Sequence, residues 1–283
     1  MFEKPRRLKS RLHRHSPASA DCRTLKDIFV KKRLLILGGT GDAAFLAIRA
    51  SQIADIEVVS SLAGRTKQPL TPKMGTVRIG GFGGVAGLVA FLLVSAALGE
   101  DRPIDLLIDA THPFADQISA NAAVAAAECN IPYLMLVRPA WEMVEGDRWI
   151  EVASHSEAAT ALSAQSQRVF LTIGRQELAA FAGLDVMWFL MRAIDPPAPN
   201  TPVPNGKLLL ARGPFSLEDE RQLLLEYHID TIVSKNSGGA ATYAKIIAAR
   251  EMGIPVVMVQ RPPIPDVEQV ADVEGAISWL ISQ

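Results

Sequence analysis

The chain has 283 residues, 49% hydrophobic and 21% charged, with a formal net charge of −1. That composition excludes general disorder and supplies one large or two medium cores. The charge is unevenly placed: residues 1–33 carry 11 Lys/Arg against 3 Asp/Glu, which leaves 18 basic and 27 acidic residues in the body that follows.

Residues 1–32 include Arg6, Arg7, Lys9, Arg11 and Arg14 and show almost no apolar periodicity. They lack the apolar region of a secretory signal and read as a disordered basic extension. Spaced basic residues without interleaved aromatics are weak grounds for nucleic-acid or membrane contact, and neither partner is expected. Cys22 and Cys129 are too few and too differently placed for a disulfide framework or a zinc site, which points to a reducing, cytoplasmic setting and no metal. The most apolar stretch, 85–98, is broken by Gly87 and Ser95 and falls short of the ~18 residues of a spanning helix.

The first clear element is an apolar run, Leu34-Leu35-Ile36-Leu37, that stops at Gly38-Gly39-Thr40-Gly41 and continues as an alanine-rich helix. Gly39, Gly41 and Ala44 fit the G-x-G-x-x-A form of the dinucleotide fingerprint, where glycines let the backbone approach a pyrophosphate at a helix N-terminus. A glycine turn in any α/β protein reads the same way, so the next strand decides. That strand, 56–61, ends in Ser60-Ser61 and leads to Arg65 and Lys67, with no carboxylate for a ribose 2′-hydroxyl. Hydroxyls and an arginine fork suit a 2′-phosphate, so the reading leans to NADP(H), the alternative being a solvated basic loop.

Further strands are expected at 76–79, 104–109 and 132–137, with helices at 42–53, 84–98 and 115–129. Gly80-Gly81-Phe82-Gly83-Gly84 follows the third strand and opens a helix, so its amides can face a cofactor or a substrate carboxylate. Asp109-Ala110-Thr111-His112-Pro113-Phe114-Ala115 follows the fourth; His112 there can line the site or donate a proton, although lone histidines more often bond locally.

The alternation pauses over 142–147, a candidate hinge, and then restarts with strands at 149–153, 169–173, 186–191, 207–211, 229–234 and 255–260. Helices are expected at 156–164, 176–182, 216–227, 239–252 and 271–282. The proline-rich segment 195–206 must be a surface loop. The fold class is therefore α/β, with two Rossmann-like domains of mainly parallel sheets, 33–138 and 139–283, and an interdomain cleft. Lys235-Asn236-Ser237-Gly238-Gly239 reads as strand, loop and helix start, a site that wants an anion. Arg138, Arg175, Arg192, Arg212 and Arg261 also stand near strand ends and together suggest a cationic wall for a polyanionic ligand. No motif pairs a nucleophile with a base, so chemistry falls to a bound cofactor, and hydride transfer fits.

Six blocks in order resemble the precorrin-6A reductase family of cobalamin biosynthesis. They are Ile36-Leu37-Gly38-Gly39-Thr40, Ser61-Leu62-Ala63-Gly64-Arg65, the run from Arg78 to Gly84, the run from Asp109 to Ala115, Arg138-Pro139-Ala140-Trp141 and Lys235-Asn236-Ser237-Gly238-Gly239. The likeness spans about 33–263 and carries nothing over to the basic extension. It implies NADPH-dependent hydride transfer to the C18–C19 double bond of precorrin-6A or its cobalt form, a tetrapyrrole rich in acetate and propionate groups, with transient contact to neighbouring pathway enzymes.

On that resemblance Gly38, Gly39, Thr40 and Gly41 hold the pyrophosphate, and Ser61 and Arg65 the 2′-phosphate. Gly81, Phe82, Gly83, Gly84, Thr111, His112 and Phe114 border nicotinamide and macrocycle. Arg138, Thr172, Arg175, Lys235, Asn236, Ser237 and Gly238 bind carboxylates. The proton comes from His112, Lys235 or water. Rival readings are another NADP-dependent reductase and a two-domain protein that binds an anionic small molecule without chemistry.

Overall fold

The computed structural model describes residues 31–64, 75–94, 102–162 and 166–283. Residues 1–30 of the basic extension, Arg65 and Lys67 lie outside them.

The first sheet opens with β1 (Lys32–Leu37), whose Leu34 to Leu37 are at most 2% exposed. A strand covered on both faces carries an unbroken apolar run, the mark of a parallel sheet between helix layers. Helix α1 (Gly41–Ala50) leads to β2 (Ile56–Leu62) and edge strand β3 (Thr76–Ile79). Then come α2 (Val85–Val94), β4 (Leu106–Asp109), α3 (Asp116–Cys129) and β5 (Tyr133–Leu136). Among the described residues no helix is long and apolar enough to cross a membrane.

The second half runs β6 (Trp149–Val152), α4 (His155–Ala161), β7 (Arg168–Thr172), a 3-10 turn at Leu178–Phe181, β8 (Trp188–Ala193) and β9 (Gly206–Leu210). It continues through α5 (Leu217–Glu226), β10 (Thr231–Lys235), α6 (Ala244–Glu251) and β11 (Val256–Val259). The short strand β12 (Gln269–Val270) and α7 (Val273–Ser282) end the chain.

Both sheets are six-stranded and parallel throughout, in the orders β3-β2-β1-β4-β5-β12 and β9-β8-β7-β10-β11-β6. Counted along the chain, the first has the doubly wound order 3-2-1-4-5-6 and the second the order 4-3-2-5-6-1, so β12 comes from beyond the second half whereas β6 leads directly into its own. After β5 the chain crosses to lay β6 at the far edge of the second sheet. After β11 it crosses back to lay β12 beside β5. The segment 269–283, expected with the second half, thus completes the first: Val273, Ala276, Trp279 and Leu280 pack with Leu34, Ile36, Ala43 and Leu46.

Two further expectations differ from what folds. The helix expected at 176–182 is a single 3-10 turn. The candidate hinge at 142–147 is tied down, because the Asp147 carboxylate accepts from Arg250 Nε at 2.9 Å and from the Val144 amide at 3.0 Å.

Candidate functional site

In a doubly wound sheet the ligand crevice opens where neighbouring strands lead their connections to opposite faces, beyond the carboxyl ends. In the first sheet that point lies between β1 and β4. Thr40 caps α1, its Oγ1 accepting from the Ala43 amide at 3.0 Å while donating to the Ala110 carbonyl at 2.8 Å. One hydroxyl thereby starts the helix and fastens it to the loop after β4; such a cap contributes ~1 kcal/mol. Gly39 holds φ +115°, and a Cβ built on Gly39 or Gly41 meets nothing within 4 Å, so this backbone faces open space. A small hollow beside it is lined by Gly38, Gly39, Ala43, Ala44 and Ser60, and the buried Ser60 hydroxyl finds no partner among the described residues. Open amides at a helix N-terminus beside an unmet hydroxyl fit a dinucleotide pyrophosphate.

Ser61 lies one residue further on, its Oγ accepting from Arg78 Nη1 at 3.1 Å. Phe82 is a packed side chain, edge-to-face with Phe91 at 5.3 Å and 3.9 Å from the Arg78 guanidinium. Gly83 and Gly84 hold φ +81° and +90°, which lets the chain turn into α2. After β4 the buried Asp109 accepts from the Thr111 amide at 2.9 Å and so shapes the loop that presents His112 and Phe114.

The second switch point lies between β7 and β10 and faces the first. A cavity of about 240 Å³ is bounded by His112, Phe114 and Ala115 on one side and by Ile173, Gly174, Arg175, Gln176, Glu177, Ile194, Asp195 and Lys235 on the other. Lys235 joins the walls: its Nζ donates to Glu177 Oε1 at 2.6 Å and stands 5.0 Å from the centre of the Phe114 ring. His112 accepts at Nδ1 from the Phe114 amide at 3.2 Å, which leaves Nε2 as the ring's N–H. Burial, followed by the positive field of Arg138, Lys235, Arg261 and Lys245, pushes its pKa down to about 3. The imidazole is therefore neutral.

Other expected site residues are engaged elsewhere. The stretch 236–239 does not open a helix, since α6 starts only at Ala244. The Asn236 amide, 2% exposed, is spent on Trp141, taking its N–H at 2.8 Å and giving to its carbonyl at 3.0 Å. Gly238 is a packing glycine, because a Cβ there would stand 2.1 Å from the Pro139 carbonyl oxygen. Ser237 contributes its carbonyl to Arg138 Nε at 2.9 Å. Thr172 donates to the Val233 carbonyl at 3.1 Å.

The cationic wall is correspondingly thinner than expected. Arg192 is buried, 2.7 Å from Glu220 and 3.7 Å from the Phe215 ring. Arg261 donates to the carbonyls of Asn236, Arg138 and Pro139 and clips the two chain crossings together. Arg138 reaches Asp42 of α1 at 2.7 Å. Arg175 and Lys235 are the cations that border the cavity itself. Asp42 and Glu177 carried no motif, and only their contacts reveal them. Among the described residues no group of three or more His, Cys, Asp or Glu could hold a metal ion.

Comparison with known proteins agrees with this geometry. The family model described as precorrin-6x reductase CbiJ/CobK matches residues 33–281. A precorrin-6A reductase of Rhodococcus erythropolis is 51% identical over 249 residues, covering 88% of this chain and 97% of that protein. A cobalt-precorrin-6A reductase of Priestia megaterium is 26% identical over 260 residues, covering 88% and 98%. The solved structure of a CobK precorrin-6A reductase superposes with a TM-score of 0.81 at 41% identity, over 89% of this chain and 96% of that one.

Proposed function

This chain belongs to the precorrin-6x reductase family, and from that premise we propose that it reduces the C18–C19 double bond of precorrin-6A in corrin biosynthesis, with NADPH as the reductant. Identity of 51% to a relative named for the metal-free substrate, against 26% to one named for the cobalt form, favours the metal-free tetrapyrrole. The observation that carries the substrate class is the cavity wall, where Arg175 and Lys235 stand beside the neutral His112 ring. A polycarboxylate is the complementary ligand.

When bound, the nicotinamide supplies the hydride. Gly38 to Gly41 offer the α1 N-terminus to its pyrophosphate, and Ser61 and Arg65 serve its 2′-phosphate. Gly81, Phe82, Gly83, Gly84 and Thr111 border the ring. Arg175 and Lys235 take carboxylates of the tetrapyrrole. The cavity is smaller than the ~300–1,000 Å³ of ordinary ligand sites and receives an edge of the macrocycle. His112 is neutral and orients the substrate through its Nε2–H, so the proton that completes the saturation comes from the Lys235 ammonium or from water. Alignment of donor and acceptor carbons supplies most of the rate.

The test mixes purified protein with NADPH and precorrin-6A and follows both absorbance spectra. Coupled loss of the reduced nicotinamide and of the substrate band is expected. Folded protein that leaves both unchanged would overturn the reading.

A further inference from the structure

One cation near the cofactor end has no role so far. Arg78 is the third residue of β3 and stands in register opposite Ser61 of β2. Its Nη1 donates to Ser61 Oγ at 3.1 Å and to the Gly80 carbonyl at 2.6 Å, and its Nη2 donates to the Gly81 carbonyl at 2.7 Å. One side of the guanidinium rests on Phe82, which Phe91 supports in turn. The group is therefore fixed before any ligand arrives.

What it lacks is a counter-ion. Arg33, Arg102, Arg192 and Arg250 each pair with a carboxylate. Arg78 pairs with none among the described residues, and burial lowers its pKa with no acid pulling the other way. A guanidinium has five N–H groups, of which the contacts above use three. A fork left open and partly desolvated is costly unless an anion completes it.

Its place names the anion. The Gly38 amide donates to the Ser61 carbonyl at 2.9 Å, and the Ser61 hydroxyl meets Arg78, so one residue links the glycine turn to the guanidinium. In a doubly wound sheet the end of the second strand is where the adenosine ribose is read. We propose that Arg78, with Ser61, is a specificity-determining ligand of the 2′-phosphate, so that preference for NADPH over NADH is built into edge strand β3. This rests on the dinucleotide reading of the glycine turn.

The experiment measures Kd for NADPH, NADH and adenosine 2′,5′-bisphosphate with the full chain, its Arg78→Gln variant and its Arg78→Lys variant. The unaltered protein should favour NADPH. Arg78→Gln should weaken NADPH and the bisphosphate about 10- to 100-fold and leave NADH within about twofold. Arg78→Lys should restore part of the preference, because it keeps the charge and loses the fork. Equal losses for NADPH and NADH would mean that Arg78 only anchors the glycine loop and would overturn the proposal, as would an unchanged NADPH affinity. If Arg78→Gln fails to fold, Arg78→Lys decides, and an unchanged NADPH:NADH ratio there overturns it. Equal affinity of the unaltered protein for both nucleotides would instead overturn the NADPH reading on which the proposal stands.

Discussion

Arg138 holds Asp42 at 2.7 Å while its Nε donates to the Ser237 carbonyl at 2.9 Å. One guanidinium on the chain crossing thus grips the first turn of the cofactor-side helix and the loop that follows Lys235. It also offsets a carboxylate that would repel a pyrophosphate at that helix N-terminus. Arg138→Ala is expected to weaken NADPH binding about threefold to tenfold and to raise the tetrapyrrole KM as well, because the two ligands then meet unfastened halves. Asp42→Asn should do less alone and add little to Arg138→Ala. A double-mutant cycle on kcat/KM with additive losses would show that the pair does not couple the two sites.

Lys235 and Glu177 neutralise each other at the cavity wall. A substrate carboxylate must compete with Glu177 for the ammonium, so Glu177→Gln should lower the substrate KM by severalfold. Lys235→Ala should raise it about tenfold or more while NADPH affinity stays unchanged. Steady-state kinetics with each substrate varied separates the two effects, and an unaffected tetrapyrrole KM in Lys235→Ala removes Lys235 from the site.

Asn236 is expected to act through Trp141 and not on the ligand. Asn236→Ala strips both hydrogen bonds from the Trp141 backbone and should cost about 2–4 kcal/mol, lowering Tm by on the order of 5–10 °C. Asn236→Asp should fare no better, since a carboxylate accepts but cannot donate to the carbonyl. A thermal melt unchanged from the parent, accompanied by a raised substrate KM, would assign Asn236 to direct binding instead.

His112 makes stability depend on acid. Its ring stays neutral in the folded chain down to about pH 3, whereas an unfolded histidine protonates near 6.5. Between those values the unfolded state binds the extra proton, so stability is complete above about 6.5 and falls as the pH drops toward 3. Acidification from pH 6.5 to 5 should cost roughly 2 kcal/mol through this group. Denaturant titrations at both values should show a smaller acid loss in His112→Asn, whose amide oxygen can take the Phe114 N–H. Equal losses would place the acid sensitivity elsewhere.

The elements most legible in the sequence were those written by local pattern. The run from Leu34 to Leu37, the turn after it and the alternation of strands and helices all carry their signal within a few residues. β12 had no such signal, because two residues have no period, and its place depends on β5, more than 130 residues earlier. The stretch from Asn236 to Gly239 misled for a related reason. Glycines after a strand look alike whether they admit a phosphate or a neighbouring chain, and only the nearness of Pro139 to Gly238 tells the two apart. Arg192 has the strand-end position of a site cation, and only its contact with Glu220, 28 residues on, marks it as a core ion pair. The cavity-facing pair of His112 and Lys235 was legible because a ligand crevice lies beyond strand ends whatever the packing.

The return of β12 to the first sheet also governs the order in which the molecule can be finished. During synthesis the β5 edge of the first sheet stays bare until residues 269–283 emerge with β12 and α7. Severing the chain after Arg138 would leave one fragment short of that edge and the other carrying an orphan strand and helix with no sheet to join. The two halves are therefore expected to fold as one event once β12 and α7 are present, and recovery of a native nucleotide site from residues 31–138 alone is not expected.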